Sequence, residues 1–218
     1  TGDGGGGEQM SMMLAALAGA ALTRAMPATS AGSWLSDFDY PAGSVKRREE
    51  GPVGFSMLVA PDGKVTRCFV TKSSGFPDLD QRTCAIMLIR TKFKSARDEN
   101  GSPLYDLYNG TLTWRLPGKG IGRPLPKSPP VIEPDMIIEV QQLPGGIEEE
   151  AVSILTRIDV TGHVAFCQPN PTYKNSAALV KVACAQAKAL YTSDMKDDAG
   201  NPLPIIQPFR VGFRVAPK

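Results

Sequence analysis

The sequence predicts an α+β fold built from two repeated β-β-α-β units, each a small antiparallel sheet packed on a helix. Three observations carry this. Landmarks recur at an offset of 99 residues: Gly63 falls on Gly162, Val65 on Val164, Cys68 on Cys167, Gly101 on Gly200, Pro103 on Pro202 and Trp114 on Phe213. Within each half, apolar residues alternate at period two in the stretches read as strands and recur at helical spacing in one longer stretch. Between the halves, "PGKGIGRPLPKSPP" at 117–130 is dense in Pro and Gly and suits a semi-extended linker. The expected organisation is a leader at 1–31, a first domain at 32–117, a linker at 118–130 and a second domain at 131–218.

In the first half, "VGFSMLVA" places Val53, Phe55, Met57 and Val59 on one face of a half-buried strand. Asp62-Gly63 reads as a hairpin turn and "KVTRCFVTK" as the return strand. From Leu79 to about Phe93, Leu79, Thr83, Ile86, Met87, Ile89 and Phe93 recur at helical spacing, with Pro77 or Asp78 at the start and Asp80 in the first turn, where the helix dipole favours an acid. After the loop "SARDENGSP", Leu112, Trp114 and Leu116 alternate with Thr111, Thr113 and Arg115 in a last strand. The second half repeats the order. "AVSILTRIDV", the turn Thr161-Gly162 and "HVAFC" form its hairpin, "SAALVKVACAQAKALY" its helix starting at Asn175 or Ser176, and "PFRVGFRV" its last strand.

The segment 1–9, "TGDGGGGEQ", has no apolar pattern, and the run "MSMMLAALAGAAL" from Met10 is too short for the ~20 residues of a bilayer-spanning helix. Small residues in "PATSAGS" follow, so the leader reads as a secretory signal peptide cleaved near Ala31, with a lipid-facing anchor or an amphipathic helix as the alternatives. The four cysteines stand sixteen and seventeen residues apart in two pairs, without C-x-x-C spacing. In each half one lies on the second strand and the other on the helix, which predicts the disulfides Cys68–Cys84 and Cys167–Cys184 and an oxidising compartment.

Charge is uneven: residues 1–39 hold one base and four acids, residues 40–130 fifteen bases and eight acids, and residues 131–218 eight bases and ten acids. The basic segment can face an acidic partner or simply be a solvated surface. No run of Lys and Arg is interleaved with aromatics, so nucleic acid is not an expected partner. His163, the only histidine, has no ligand cluster near it in sequence, and no cofactor or metal is expected. Ser73-Ser74-Gly75 lacks the G-x-S-x-G elbow and a nearby base, so it reads as a turn and not as a nucleophile. Asp78, Asp80, Asp98 and Glu99 read as capping and loop residues, Glu148 to Glu150 as a solvated run, and Trp114 and Phe213 as core. No enzymatic activity is expected.

The ordered signature Tyr40-Pro41, "GPVGFSMLVAPDGKVTRCFVTKSSGFPDLDQ", "KFKSARDENGSPL" and "TWRL" resembles the C-terminal domain of TonB, the periplasmic energy transducer of Gram-negative bacteria, over about residues 38–117. Residues 131–218 resemble a diverged second copy that keeps "TGHV" and "DDAGNP" but has no YP or SSG. The resemblance implies a periplasmic, non-enzymatic domain that captures an extended peptide, the TonB box of an outer-membrane transporter, by adding it as a strand to a sheet edge. It implies that Tyr40 and Pro41 lie near that peptide and that the strand of about 107–116 supplies the edge, through Leu107, Tyr108, Thr111, Thr113 and Arg115. Asn109-Gly110 is expected to interrupt that edge as a bulge or a turn, and Pro208 to weaken the matching edge of the second half. The family's inner-membrane motor needs an anchored partner, and this chain shows no clear anchor, so peptide capture is the expected activity. The alternative is a tandem envelope scaffold whose sheet edges are occluded by packing of the two halves. Open edges also make self-association possible.

Overall fold

The computed structural model describes residues 21–118 and 133–217. Most of the apolar run from Met10, up to residue 20, and nearly all of the expected linker lie outside the described residues.

In chain order the elements are β1 (Met26–Pro27), α1 (Ala42–Arg47), β2 (Gly51–Val59), β3 (Val65–Lys72), α2 (Pro77–Arg90), β4 (Phe93–Lys94), β5 (Ala96–Arg97), β6 (Pro103–Trp114), β7 (Met136–Val140), β8 (Glu149–Ile158), β9 (Val164–Pro169), α3 (Ala177–Leu190) and β10 (Ile205–Val215). The fold is mixed α+β with mostly antiparallel pairing, as expected. The predicted strands and helices all appear, and Pro77 occupies the first helical position of α2, where its missing N–H costs nothing. Both disulfides form, each tying the second strand of a unit to its helix.

The sheets of the two units join into one. Strand order runs β3-β2-β6-β10-β8-β9 through a parallel contact of Tyr105 with Ile205 and Asp106 with Ile206. The units also share a register at the offset of 99. Gly51 pairs Trp114 and Glu150 pairs Phe213, while Val59 pairs Asp106 and Ile158 pairs Ile205.

Alternation then decides where the helices go. Phe55, Met57 and Val59 share a cluster with Met87 of α2 and, across the joint, Leu155 and Ile206. Leu58, on the other face, joins Ile158, Val164 and Ile205 of the second unit, whose neighbouring Val152 and Ile154 pack on α3. Hence α2 and α3 cover opposite faces of the continuous sheet. Two ion pairs also span the units: Arg157 donates a fork to Glu99 at 2.9 and 2.6 Å, and Arg67 meets Asp198 at 2.6 Å.

Part of the segment read as a leader packs on both units. Leu22, Ala25 and Trp34 are buried in the cluster that spans both units. The Leu22 N–H donates to Gln168 of β9 at 2.8 Å, and Arg24 reaches Asp106 of β6, so this strap lies across the joint. Among the described residues, packing thus includes Leu22, inside the segment read as a leader. Among the described residues no helix is long and apolar enough to cross a membrane.

Candidate functional site

The site is the side of β6 that faces away from β2. β6 pairs with β2 along its length, from Asp106 to Trp114. On the opposite side its pairing with β10 ends at Asp106, and among the described residues no strand pairs there from Leu107 to Trp114. The carbonyl of Leu107 points to this side and accepts from Arg24 at 2.6 Å. Main-chain groups of a strand point alternately to its two edges, so those of Asn109, Thr111 and Thr113 face the same open side.

Two departures of the neighbouring chain leave this edge open. Around β10, the N–H of Arg210 donates to the Asp135 carboxylate at 2.7 Å and its carbonyl accepts from the Asp135 N–H at 2.8 Å, on the side of β7 and β6. By the same alternation the nitrogen of Pro208 points there too, and it has no hydrogen to give. Pairing of β10 with β6 stops at Ile206, two residues before it, and pairing with β7 resumes at Val211.

Beside the open edge is a groove of about 370 Å3 whose floor is Phe55, Tyr108 and Leu112 and whose wall is Ala31, Gly32, Trp34 and Leu35. Trp34 stacks edge-on to Tyr108 at 6.2 Å. Asn109-Gly110 is neither bulge nor turn: Asn109 pairs Ser56 and Gly110 pairs Phe55 in unbroken register. Gly110 is instead a spacing residue, because a Cβ there would lie 2.6 Å from the Phe55 ring.

The structure redistributes the expected site residues. Tyr108, Thr111 and Thr113 lie at the groove. Leu107 does not: its side chain packs in the joint and its carbonyl accepts from Arg24. Tyr40 is buried, its ring edge-on to Trp114 at 5.1 Å and its hydroxyl donating to the Glu49 carbonyl. Burial, with the charges of Glu50 and Glu49, pushes its hydroxyl up to about 12. Tyr40 thus packs against the end of β6, largely buried. Pro41 precedes α1 as its N-cap, and Arg115 lies one residue past β6. The strap wall at Ala31 to Leu35 was missed because the leader reading set these residues at a cleavage point.

Supporting groups are locked in place. Trp114 Nε1 donates to Thr83 Oγ1 at 2.9 Å, and Thr83 Oγ1 donates to the Leu79 carbonyl at 2.8 Å. Asp39, buried, accepts a fork from Arg90 at 2.6 and 2.7 Å, and these bonds, with those from Ser36, outweigh burial and hold its carboxyl well below the usual carboxylate range. Ser73 and Ser74 both donate to the Asp80 carboxylate, Ser74 at 2.8 Å. Burial opposes ionisation of Asp80, yet those hydroxyls and the Ser74 N–H keep its carboxyl low. The serines therefore organise the turn into α2, and His163 sits in the hairpin of the other unit, bridged to Thr192. Asp98 accepts from the N–H groups of Asn100 and Ser102, a loop role.

An open strand edge next to an apolar groove can hold an extended peptide by backbone pairing on one side and alternate side chains in the groove. Residues 36–115, the first unit from the turn before Tyr40 to just past β6, match the family described as Gram-negative bacterial TonB protein C-terminal. No curated protein and no solved structure matches the chain.

Proposed function

We propose that this chain, whose residues 36–115 form a TonB C-terminal-type domain, is a non-enzymatic peptide receptor of the Gram-negative periplasm. It takes an extended, TonB-box-like segment of an outer-membrane transporter as an added strand on β6, in the service of energy-coupled transport. The observation that supports this reading is that, among the described residues, no strand pairs with one side of β6 beyond Asp106, beside a groove of aromatic and aliphatic side chains. Asn109, Thr111 and Thr113 supply the backbone donors and acceptors, and Tyr108, Phe55 and Leu112 receive alternate side chains.

The basic balance of residues 40–130 favours peptides carrying acids, mainly by speeding encounter. A tandem scaffold is favoured by a different observation, the fusion of both units into one sheet, which occludes β6 at Tyr105 and Asp106. Amide NMR titration of the full chain, disulfides intact, with short acidic-apolar peptides separates the two. Shifts at Asn109–Trp114 and Trp34 are expected. An edge that no peptide moves, and whose outward amides are protected from exchange in the free protein, leaves the scaffold as the function.

A further inference from the structure

β7 has a single strand partner among the described residues. Among them it pairs only with β10, in parallel, from Met136 opposite Val211 to Val140 opposite Val215. It lies on the side of β10 that corresponds, at the offset of 99, to the open side of β6: Phe213 of β10 is opposite Ile138, and its counterpart Trp114 has no strand on that side among the described residues. The chain has laid a short strand of its own on an edge whose counterpart in the first unit carries no strand among the described residues.

The contacts of this strand are those a bound peptide would make. At its head Asp135 forms a two-point clamp on Arg210, giving its N–H to the carbonyl at 2.8 Å and taking the Arg210 N–H on its carboxylate at 2.7 Å. Pro134 sits against Gly212, where a Cβ would come within 3.1 Å of the Pro134 ring. Met136, Ile138 and Val140 pack on the cluster beneath, while Ile137 and Glu139 face outward. At its tail the Val140 carbonyl accepts from the Ala216 N–H at 2.9 Å.

We propose that the edge of β10 from Arg210 to Val215 is a second extended-peptide site, filled in cis by Met136–Val140. Its ligand class is a strand running parallel to β10, headed by a carboxylate that caps the Arg210 N–H and carrying apolar residues at every second position. While β7 is seated the second unit is closed to peptide, and displacement of β7 opens it. The inference shares strand addition with the function proposed above but concerns a different edge, and the two are read at different residues.

The test uses the full chain with disulfides intact, a double variant Asp135→Ala and Ile138→Asp that unseats β7, and a labelled synthetic peptide of residues 133–141. The variant is expected to bind the peptide saturably, at least about tenfold tighter than the unaltered chain, with amide shifts at Arg210–Val215. A folded variant that does not bind, or one whose shifts fall at Asn109–Trp114 instead, overturns the proposal. If the variant does not fold, hydrogen exchange on the unaltered chain decides. Amides of β7 are expected to exchange at least about tenfold faster than those of Val152–Ile158, and equal rates overturn the proposal.

Discussion

The guanidinium of Arg24 donates to both carboxylate oxygens of Asp106, at 2.7 and 2.8 Å, where β6 leaves β10. The Ala25 N–H adds a third bond at 2.6 Å, and the carboxylate is fully buried. Burial pushes this carboxyl upward against the pull of Arg24, so its ionised form is held only by its partners. Arg24→Ala is expected to lose roughly 3 kcal/mol near neutral pH, read by urea unfolding. An acid with a raised folded pKa contributes most below its unfolded value and loses that contribution as pH rises through the folded one. The deficit of the variant should therefore shrink on acidification, and a deficit independent of pH would show that Arg24 acts by packing alone.

Gly110 and Phe55 define the groove floor. Gly110→Val forces a side chain into the Phe55 ring and is expected to cost about 1–3 kcal/mol, as overpacking does. Combining it with Phe55→Leu should recover part of the loss, a coupling that a double-mutant cycle in urea measures.

Thr111→Pro tests strand addition directly. Its N–H faces the open side, so proline removes a donor for the peptide and none for β2. Peptide affinity should fall about tenfold or more with a Tm within a few degrees of the parent. Unchanged affinity in titration calorimetry would argue against backbone pairing at this edge.

Each disulfide closes a short loop, with separations of 16 and 17 residues. Replacing Cys68 and Cys84 together by Ala is expected to cost about 3 kcal/mol, and the Cys167, Cys184 pair a similar amount. The sites lie in different units, so the two losses should be nearly additive in guanidinium unfolding.

Asp39 predicts the acid limb. Its depressed carboxyl contributes stability above the unfolded value of about 3.9, and that contribution is lost as pH falls through the folded one. Asp39→Asn, which leaves Arg90 without a carboxylate, should lose roughly 2 kcal/mol at neutral pH and show a flatter stability profile between about pH 5 and 2. Arg90 is about half exposed, and added salt should narrow the difference.

Local periodicity was enough to place the hairpins, both helices and the cysteine pairs. The alternation of Val53, Phe55, Met57 and Val59 and the spacing of Leu79, Thr83, Ile86 and Met87 are each set by burial of one face, which near neighbours dictate. The burial of Tyr40 and the packing of Leu107 in the joint were not legible in this way. A motif fixes order along the chain, whereas the exposure of an aromatic ring depends on what folds over it, here Trp114. β7 and the strap at Leu22–Leu35 carry too few residues in strands for a periodic signal, and their places depend on partners far along the chain, β10 and Gln168.

The amino-acid sequence by itself determined the elements, their β-β-α-β order in each half, the helix-to-strand disulfides and the family likeness of residues 36–115. Only the tertiary structure decided that the two sheets join at Tyr105–Asp106 with their helices on opposite faces, that no strand among the described residues pairs with β6 on that side beyond Asp106 and that β7 lies on the corresponding edge of β10. Side-chain burial is encoded residue by residue, but a strand edge presents only backbone, the same in every residue except proline, so its partner is selected by long-range geometry.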